Sequence, residues 1–132
     1  AGLARAKGAK RAVLLPVSAP FHSALLAPAA DRLAPVLRRI RFRDLEVPLV
    51  TNVDADLLTD GSRVAETLVR HVTAPVRWED GVLRLAKEGV GVTVEVGPGK
   101  VLSGLIRRIA PEMQVLNVED RASLQATVEA LR

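Results

Sequence analysis

Leu15-Pro16-Val17-Ser18-Ala19-Pro20-Phe21-His22-Ser23 joins an apolar run to a helical pattern and puts a histidine at the joint. Residues 12–15, Ala-Val-Leu-Leu, read as a buried strand, and a helical pattern resumes from Ser23. Between them Pro16 and Pro20 keep the connection extended, because proline fixes φ and steers the residue before it away from helical geometry. His22 therefore falls at the carboxyl end of a strand, where ligands collect in α/β sheets. A histidine there can take and return a proton near neutral pH, its unperturbed pKa being about 6.5. The alternative is a capping or packing histidine held by a backbone carbonyl, and position alone leaves both open.

Outward from this joint the periodicity alternates. Residues 2–9 read as a helix closed by Gly8, and residues 11–17 as a strand buried on both faces. Leu25, Leu26, Ala29, Leu33, Val36, Leu37 and Ile40 form one apolar helix face; Pro28 suits its first turn and Pro35 should bend it. Residues 47–53 read as a second strand, followed by an irregular hairpin over Asp54-Ala55-Asp56 and Asp60-Gly61. Asp60 or Ser62 can cap a helix through Arg70, with His71 after it. Residues 78–88 predict a helix stopped by Gly89, with Trp78 as a core anchor. Residues 90–96 predict a valine-rich central strand, Gly97-Pro98-Gly99 a tight turn, and residues 101–109 a helix ended by Pro111. A strand at residues 114–118 and a helix at residues 123–131 complete the chain. This alternation argues α/β with a mainly parallel sheet.

The 132 residues allow one domain or part of one, and 48% hydrophobic residues with only 2% aromatic ones predict an aliphatic core. The absence of cysteine excludes disulfides and cysteine metal sites, and no apolar run reaches the roughly 18 residues of a membrane span. A soluble, cytoplasmic protein without a membrane role is expected. Residues 1–43 hold nine Lys/Arg against the single acid Asp31, whereas the remainder holds ten against fourteen acids. Such a basic third suits coenzyme A phosphates or an acidic protein, or is a solvated face. Nucleic acid is the weakest candidate, since stacking platforms and a recognisable binding motif are both missing, and no nucleic-acid partner is expected.

Asp54 and Asp56 do not make a calcium loop, since glycine and glutamate are missing at its sixth and twelfth positions; no metal is expected. Gly97-Pro98-Gly99-Lys100 fails as a phosphate loop because Val94 and Val101 stand where glycine and Ser/Thr belong, and Leu102 spoils a dinucleotide fingerprint. It reads instead as a tight turn that lets backbones approach. No Gly-x-Ser-x-Gly elbow occurs.

The stretch from Val17 to Ala30 closely resembles the histidine segment of the malonyl-CoA:acyl-carrier-protein transacylases of fatty acid synthesis. Thr51-Asn52-Val53-Asp54 and the run from Glu95 to Leu102 match further segments in the right order. The resemblance implies the carboxyl-terminal part of an α/β-hydrolase-like acyltransferase subdomain (residues 16–132). Residues 1–15 would be the last helix and strand of a ferredoxin-like insertion. It implies that the chain is a truncated portion, opening at Ala1 without a methionine, whose nucleophilic serine, oxyanion donors and malonate-gripping arginine lie upstream.

By that resemblance His22 is the general base and acid, oriented by the main-chain carbonyl of His71, where the family usually carries glutamine. Phe21, Gly97 and Val101 line the substrate site, Phe21 going with malonyl choice. Lys10 and Arg11 meet the carrier protein. The partners implied are malonyl-CoA, acyl carrier protein and the missing amino-terminal portion, with no cofactor. Two alternatives stand beside this reading: a fragment of a polyketide synthase acyltransferase domain, and a non-catalytic carrier-binding module.

Overall fold

The structure, a computed structural model, describes residues 1–14 and 16–132. It is α/β. Helix α1 (Gly2–Ala6) leads through an irregular segment and a 3-10 turn (Ala24–Leu26) to α2 (Ala27–Leu37). Strands β1 (Leu49–Val50) and β2 (Leu57–Leu58) form a short antiparallel ladder, followed by a 3-10 turn (Gly61–Arg63) and α3 (Val64–Thr73). Then come α4 (Trp78–Lys87), β3 (Val92–Val96), α5 (Val101–Ile109), β4 (Gln114–Val118) and α6 (Arg121–Ala130). β3 and β4 pair in parallel, Val94 opposite Leu116, across a right-sized crossover helix.

Local chemistry explains most element ends. Gly8 and Gly89 close α1 and α4 with paired N–H bonds back to the last turn, Gly89 N to Ala86 O and Val90 N to Leu85 O. Asp60 accepts from Ser62 N at 2.8 Å before α3. At α6, Asp120 accepts from Ser123 N (2.8 Å) while Ser123 Oγ accepts from Asp120 N (2.9 Å). That reciprocal cap starts the helix at Arg121 rather than Ser123, because serine fills the place that Glu or Gln usually takes. Pro35 sits inside α2, which continues to Leu37.

The main core lies between α4, α5 and the entry to β4: Val82, Ile106, Ala110 and Met113 are buried, with Trp78, Leu85 and Val115 packed around them. Trp78 is the core anchor its spacing predicts. α2 packs along α3, burying Ala30 and Leu37, but Leu25, Val36 and Ile40 of the predicted apolar face stay exposed.

Three expectations are corrected. Residues 11–14 and 16–17 form no strand and are largely exposed, Leu14 at 86%; a strand needs a neighbour to satisfy its ladder, and none of the described strands runs beside them. Leu15, where the expected subdomain boundary falls, lies outside the described residues. The sheet is two separate pairs rather than one parallel sheet, so β3 has a single neighbour and Val96 is 79% exposed. The helix expected to end at Arg70 runs to Thr73 and includes His71.

The chain exposes 9960 Å², where a compact monomer of this mass exposes about 6,700 Å². Much of the excess is apolar, including Val92, Val94 and Val96 on one face of β3.

Gly61 is buried where an added Cβ would lie 2.5 Å from the backbone carbonyl of Arg43. Gly61→Ala should destabilise the chain by about 1–3 kcal/mol, seen as a lower denaturation midpoint in urea with an unchanged slope.

Candidate functional site

The end of α3 is unusual in what it leaves free. The last carbonyls of a helix have no intrahelical donor. Ala74 N closes on Arg70 O at 3.0 Å, but the residue that would close on His71 O is Pro75, which has no N–H. Ala74 is extended (φ −89°, ψ 147°), the conformation that a following proline favours. The His71 carbonyl is taken instead by His22, whose Nδ1 lies 3.0 Å away across 49 residues of chain. Nδ1 must donate, because a carbonyl only accepts, and the neutral ring then keeps its lone pair on Nε2. No other hydrogen bond to His22 occurs among the described residues, and the ring is exposed.

His22 reaches this position through a left-handed backbone, φ +57°. Such a conformation costs of order 1–3 kcal/mol and gathers at functional sites. Ser23 Oγ donates to Pro20 O at 2.8 Å and ties the turn behind it.

The His71 side chain joins the same cluster. Its ring centroid is 4.8 Å from that of His22, tilted by 33°. Asn52 Nδ2 donates to His71 Nε2 at 3.3 Å, which requires that nitrogen to be unprotonated. Burial, and then the neighbouring His22, push the His71 pKa below the usual histidine value, so both observations describe a neutral ring. Asn52 is held in turn: Arg77 N donates to its carbonyl at 2.8 Å. Sequence reading quoted Asn52 within a motif without giving it a role, since a side-chain bond to a residue 19 positions away has no local signature.

Around Asn52 the loop is locked by charge. Asp54 is paired bidentately with Arg70, whose hydrogen bond holds the carboxyl below its ordinary range, and its carbonyl accepts from Arg77 Nη1 at 2.9 Å. Asp56 pairs with Arg84. Both aspartates are engaged by arginine, which is a structural use.

The remaining sequence-derived residues are spread out. Phe21 precedes His22 and is 61% exposed. Gly97 and Val101 lie on the turn from β3 to α5, and Lys10 and Arg11 on the exposed segment after α1. Among the described residues no hydrogen bond or ion pair joins these four to the histidines. The glycine turn also departs from expectation: Gly97 (φ +134°) and Gly99 (φ +91°) are needed for backbone conformation, while a Cβ on either would meet nothing within 4 Å. Beside the turn, Glu95 caps α5, accepting from Leu102 N (3.1 Å), Ser103 N (2.8 Å) and the Ser103 hydroxyl. Ser103 is thereby committed to a carboxylate and Ser23 to Pro20; neither hydrogen bonds to His22.

His71 yields a pH dependence. Its folded pKa is depressed, so below about pH 6.5 the unfolded chain binds a proton that the folded chain does not, and stability falls as the pH drops through that value. His71→Gln should flatten the slope of unfolding free energy just below about pH 6.5, leaving the carboxylate-driven loss below about pH 4. Equal slopes for both proteins in thermal or urea melts would refute the assignment.

No family model matches the chain. Along its length it is similar to the malonyl CoA-acyl carrier protein transacylase of Bacillus subtilis, 40% identical over 130 residues, which are 98% of this chain and 41% of that protein. The fold is similar to the crystal structure of the acyl-carrier-protein S-malonyltransferase of Burkholderia pseudomallei, with a TM-score of 0.89 at 43% identity, covering 97% of this chain and 42% of that one. A type II polyketide synthase acyl-carrier protein in complex with its malonyl-transacylase is also similar, with a TM-score of 0.89 at 44% identity over 96% of this chain and 41% of that chain. The chain thus spans about two fifths of the length of the relatives it matches. Sequence and fold agree over nearly every residue in what they resemble: relatives 40–46% identical to this chain are named malonyl CoA-acyl carrier protein transacylase, and the similar crystal structures are of the same enzyme.

Proposed function

We propose that this chain is the carboxyl-terminal part of an enzyme that moves malonyl from malonyl-CoA to the phosphopantetheine thiol of acyl carrier protein in fatty acid synthesis, with His22 as its general base and acid. The observation that carries the reading is the His22 Nδ1 to His71 carbonyl bond of 3.0 Å in a chain whose relatives are transacylases. It leaves Nε2 as the proton acceptor, the state a general base requires.

The nucleophile is a serine in the amino-terminal portion of the enzyme, which also supplies the oxyanion donors. Nε2 takes the serine proton as Oγ attacks the thioester carbonyl; the C–S bond breaks and the coenzyme A sulfur leaves with that proton. The carrier thiol then gives its proton to Nε2 and attacks the serine ester, and the serine oxygen recovers the proton as it leaves. Each half-reaction ends with His22 neutral, so one tautomer serves both. The chemistry needs no metal or redox cofactor.

Docking of an amino-terminal portion agrees with the 9960 Å² of exposed surface and its bare valines. Phe21, the residue before His22, would crowd a branch on the α-carbon of the acyl group, an effect worth about 1–3 kcal/mol per methyl. Lys10 and Arg11 are exposed cations suited to an acidic carrier.

In the full-length protein His22→Ala should slow transfer to the carrier by about 10²- to 10⁴-fold, measured as malonyl-carrier by intact mass; an undiminished rate would leave the base elsewhere. Carrier binding without any malonyl adduct on the enzyme would favour the non-catalytic module. Phe21→Ser should shift kcat/KM toward methylmalonyl-CoA over malonyl-CoA by about tenfold or more, checked by competition between the two thioesters.

A further inference from the structure

We propose that Pro75 is a positioning residue for His22: by lacking a backbone N–H and holding Ala74 extended, it reserves the His71 carbonyl as the acceptor for His22 Nδ1. This rests on the reading of His22 as the base. The argument is geometric. In an uninterrupted helix the N–H of residue 75 closes on the carbonyl of residue 71, and that is the carbonyl His22 uses. The bonding of α3 runs to its C-cap, where Ala74 N reaches Arg70 O at 3.0 Å. One more helical residue would present a donor four positions after His71 and set it in competition with the imidazole. Proline prevents this twice over, by removing the donor and by disfavouring helical φ and ψ at Ala74.

The next residues hold the chain away from the helix axis. After Pro75 and Val76 the backbone turns so that Arg77 N donates to Asn52 O at 2.8 Å, while the Arg77 side chain binds Asp54 O and Asp80. The carbonyl of His71 thus has no competing backbone donor among the described residues. A second donor matters because an ordinary hydrogen bond contributes about 0.5–1.5 kcal/mol. A carbonyl oxygen has two lone pairs, so a helical donor would take one along the helix axis and leave His22 a weaker bond to the other, and the loosened ring would sample the tautomer whose Nε2 carries the proton and cannot accept one.

The charged groups on the elements around this turn do not supply an alternative anchor. Arg70 is occupied by Asp54, Arg77 by Asp54 O and Asp80, and Arg38 of α2 lies in the groove with Glu66 and Arg70. His71 itself carries the neutral ring held by Asn52.

The test compares three full-length proteins: wild type, Pro75→Ala, and a protein with lactic acid at position 75, whose ester lacks an N–H as proline does. The ¹⁵N shifts of the imidazole of His22, assigned with His22→Gln, report its tautomer without reference to activity. The expected result is an Nδ1–H tautomer in wild type, a mixture in Pro75→Ala with kcat lowered by about tenfold at unchanged KM, and recovery of both in the ester protein. An unchanged tautomer in Pro75→Ala overturns the proposal even if kcat falls, since that fall would be structural. An ester protein as impaired as Pro75→Ala overturns it too, because the donor would not be the cause. If His22→Gln transfers malonyl at the wild-type rate, the base reading fails, while the tautomer data still decide the role of Pro75.

Discussion

The hydrogen bond from His22 Nδ1 to the His71 carbonyl ties two segments 49 residues apart, and most of the surrounding architecture serves to bring its two ends together. On one side the 3-10 turn Ala24–Leu26 and α2 pack against α3, which sets the distance between the histidine loop and the helix end. On the other, the loop after β1 is pinned by Thr51 N to Asp56 O (3.0 Å), by the Asp54 and Arg70 pair and by Arg77, so that Asn52 meets the ring of His71. α3 therefore contributes its main chain to one histidine and receives a side chain on the other.

The alternation of elements was legible because it rests on local chemistry. β4 and α5 fall where period and turn residues put them, and Gly89 stops α4 through its left-handed conformation. What local reasoning misjudged depends on neighbours. Residues 11–14 and 16–17 carry the apolar composition of a strand, but composition cannot supply the ladder partner that makes one. The valines of β3 read as a buried central strand, and in this chain they pair on one side only. The histidine joint was visible as a motif. Its acceptor was reached through a family likeness, and the availability of that acceptor follows from Pro75, whose meaning appears only once the end of α3 is known. Asn52 was invisible as a functional residue because its bond spans two elements.

The exposed surface bears on how the site can work. Water competes for the exposed Nε2 of His22, and enclosing that nitrogen would strengthen any hydrogen bond it makes. The bare face of β3 and the exposed segment before His22 are apolar, which is costly to leave in water at about 25 cal/mol per Å². A further portion of protein laid against these surfaces would gain that energy.

Magnitudes decide what holds His22 in its strained backbone. A left-handed conformation at a residue with a Cβ costs about 1–3 kcal/mol, and a neutral hydrogen bond returns about 0.5–1.5 kcal/mol. The bond to His71 alone therefore does not hold the loop. The rest must come from the Ser23 tie to Pro20 and from the packing of the Ala24–Leu26 turn on α3, together with Pro16 and Pro20, which lower the entropy of the unfolded loop. The bond consequently has little energetic role in folding and a large one in orientation: it selects which nitrogen carries the proton in a ring that the backbone has already delivered. For that reason the orientation of His22 depends on the carbonyl at position 71 rather than on the side chain there, whose neutral ring is engaged separately by Asn52.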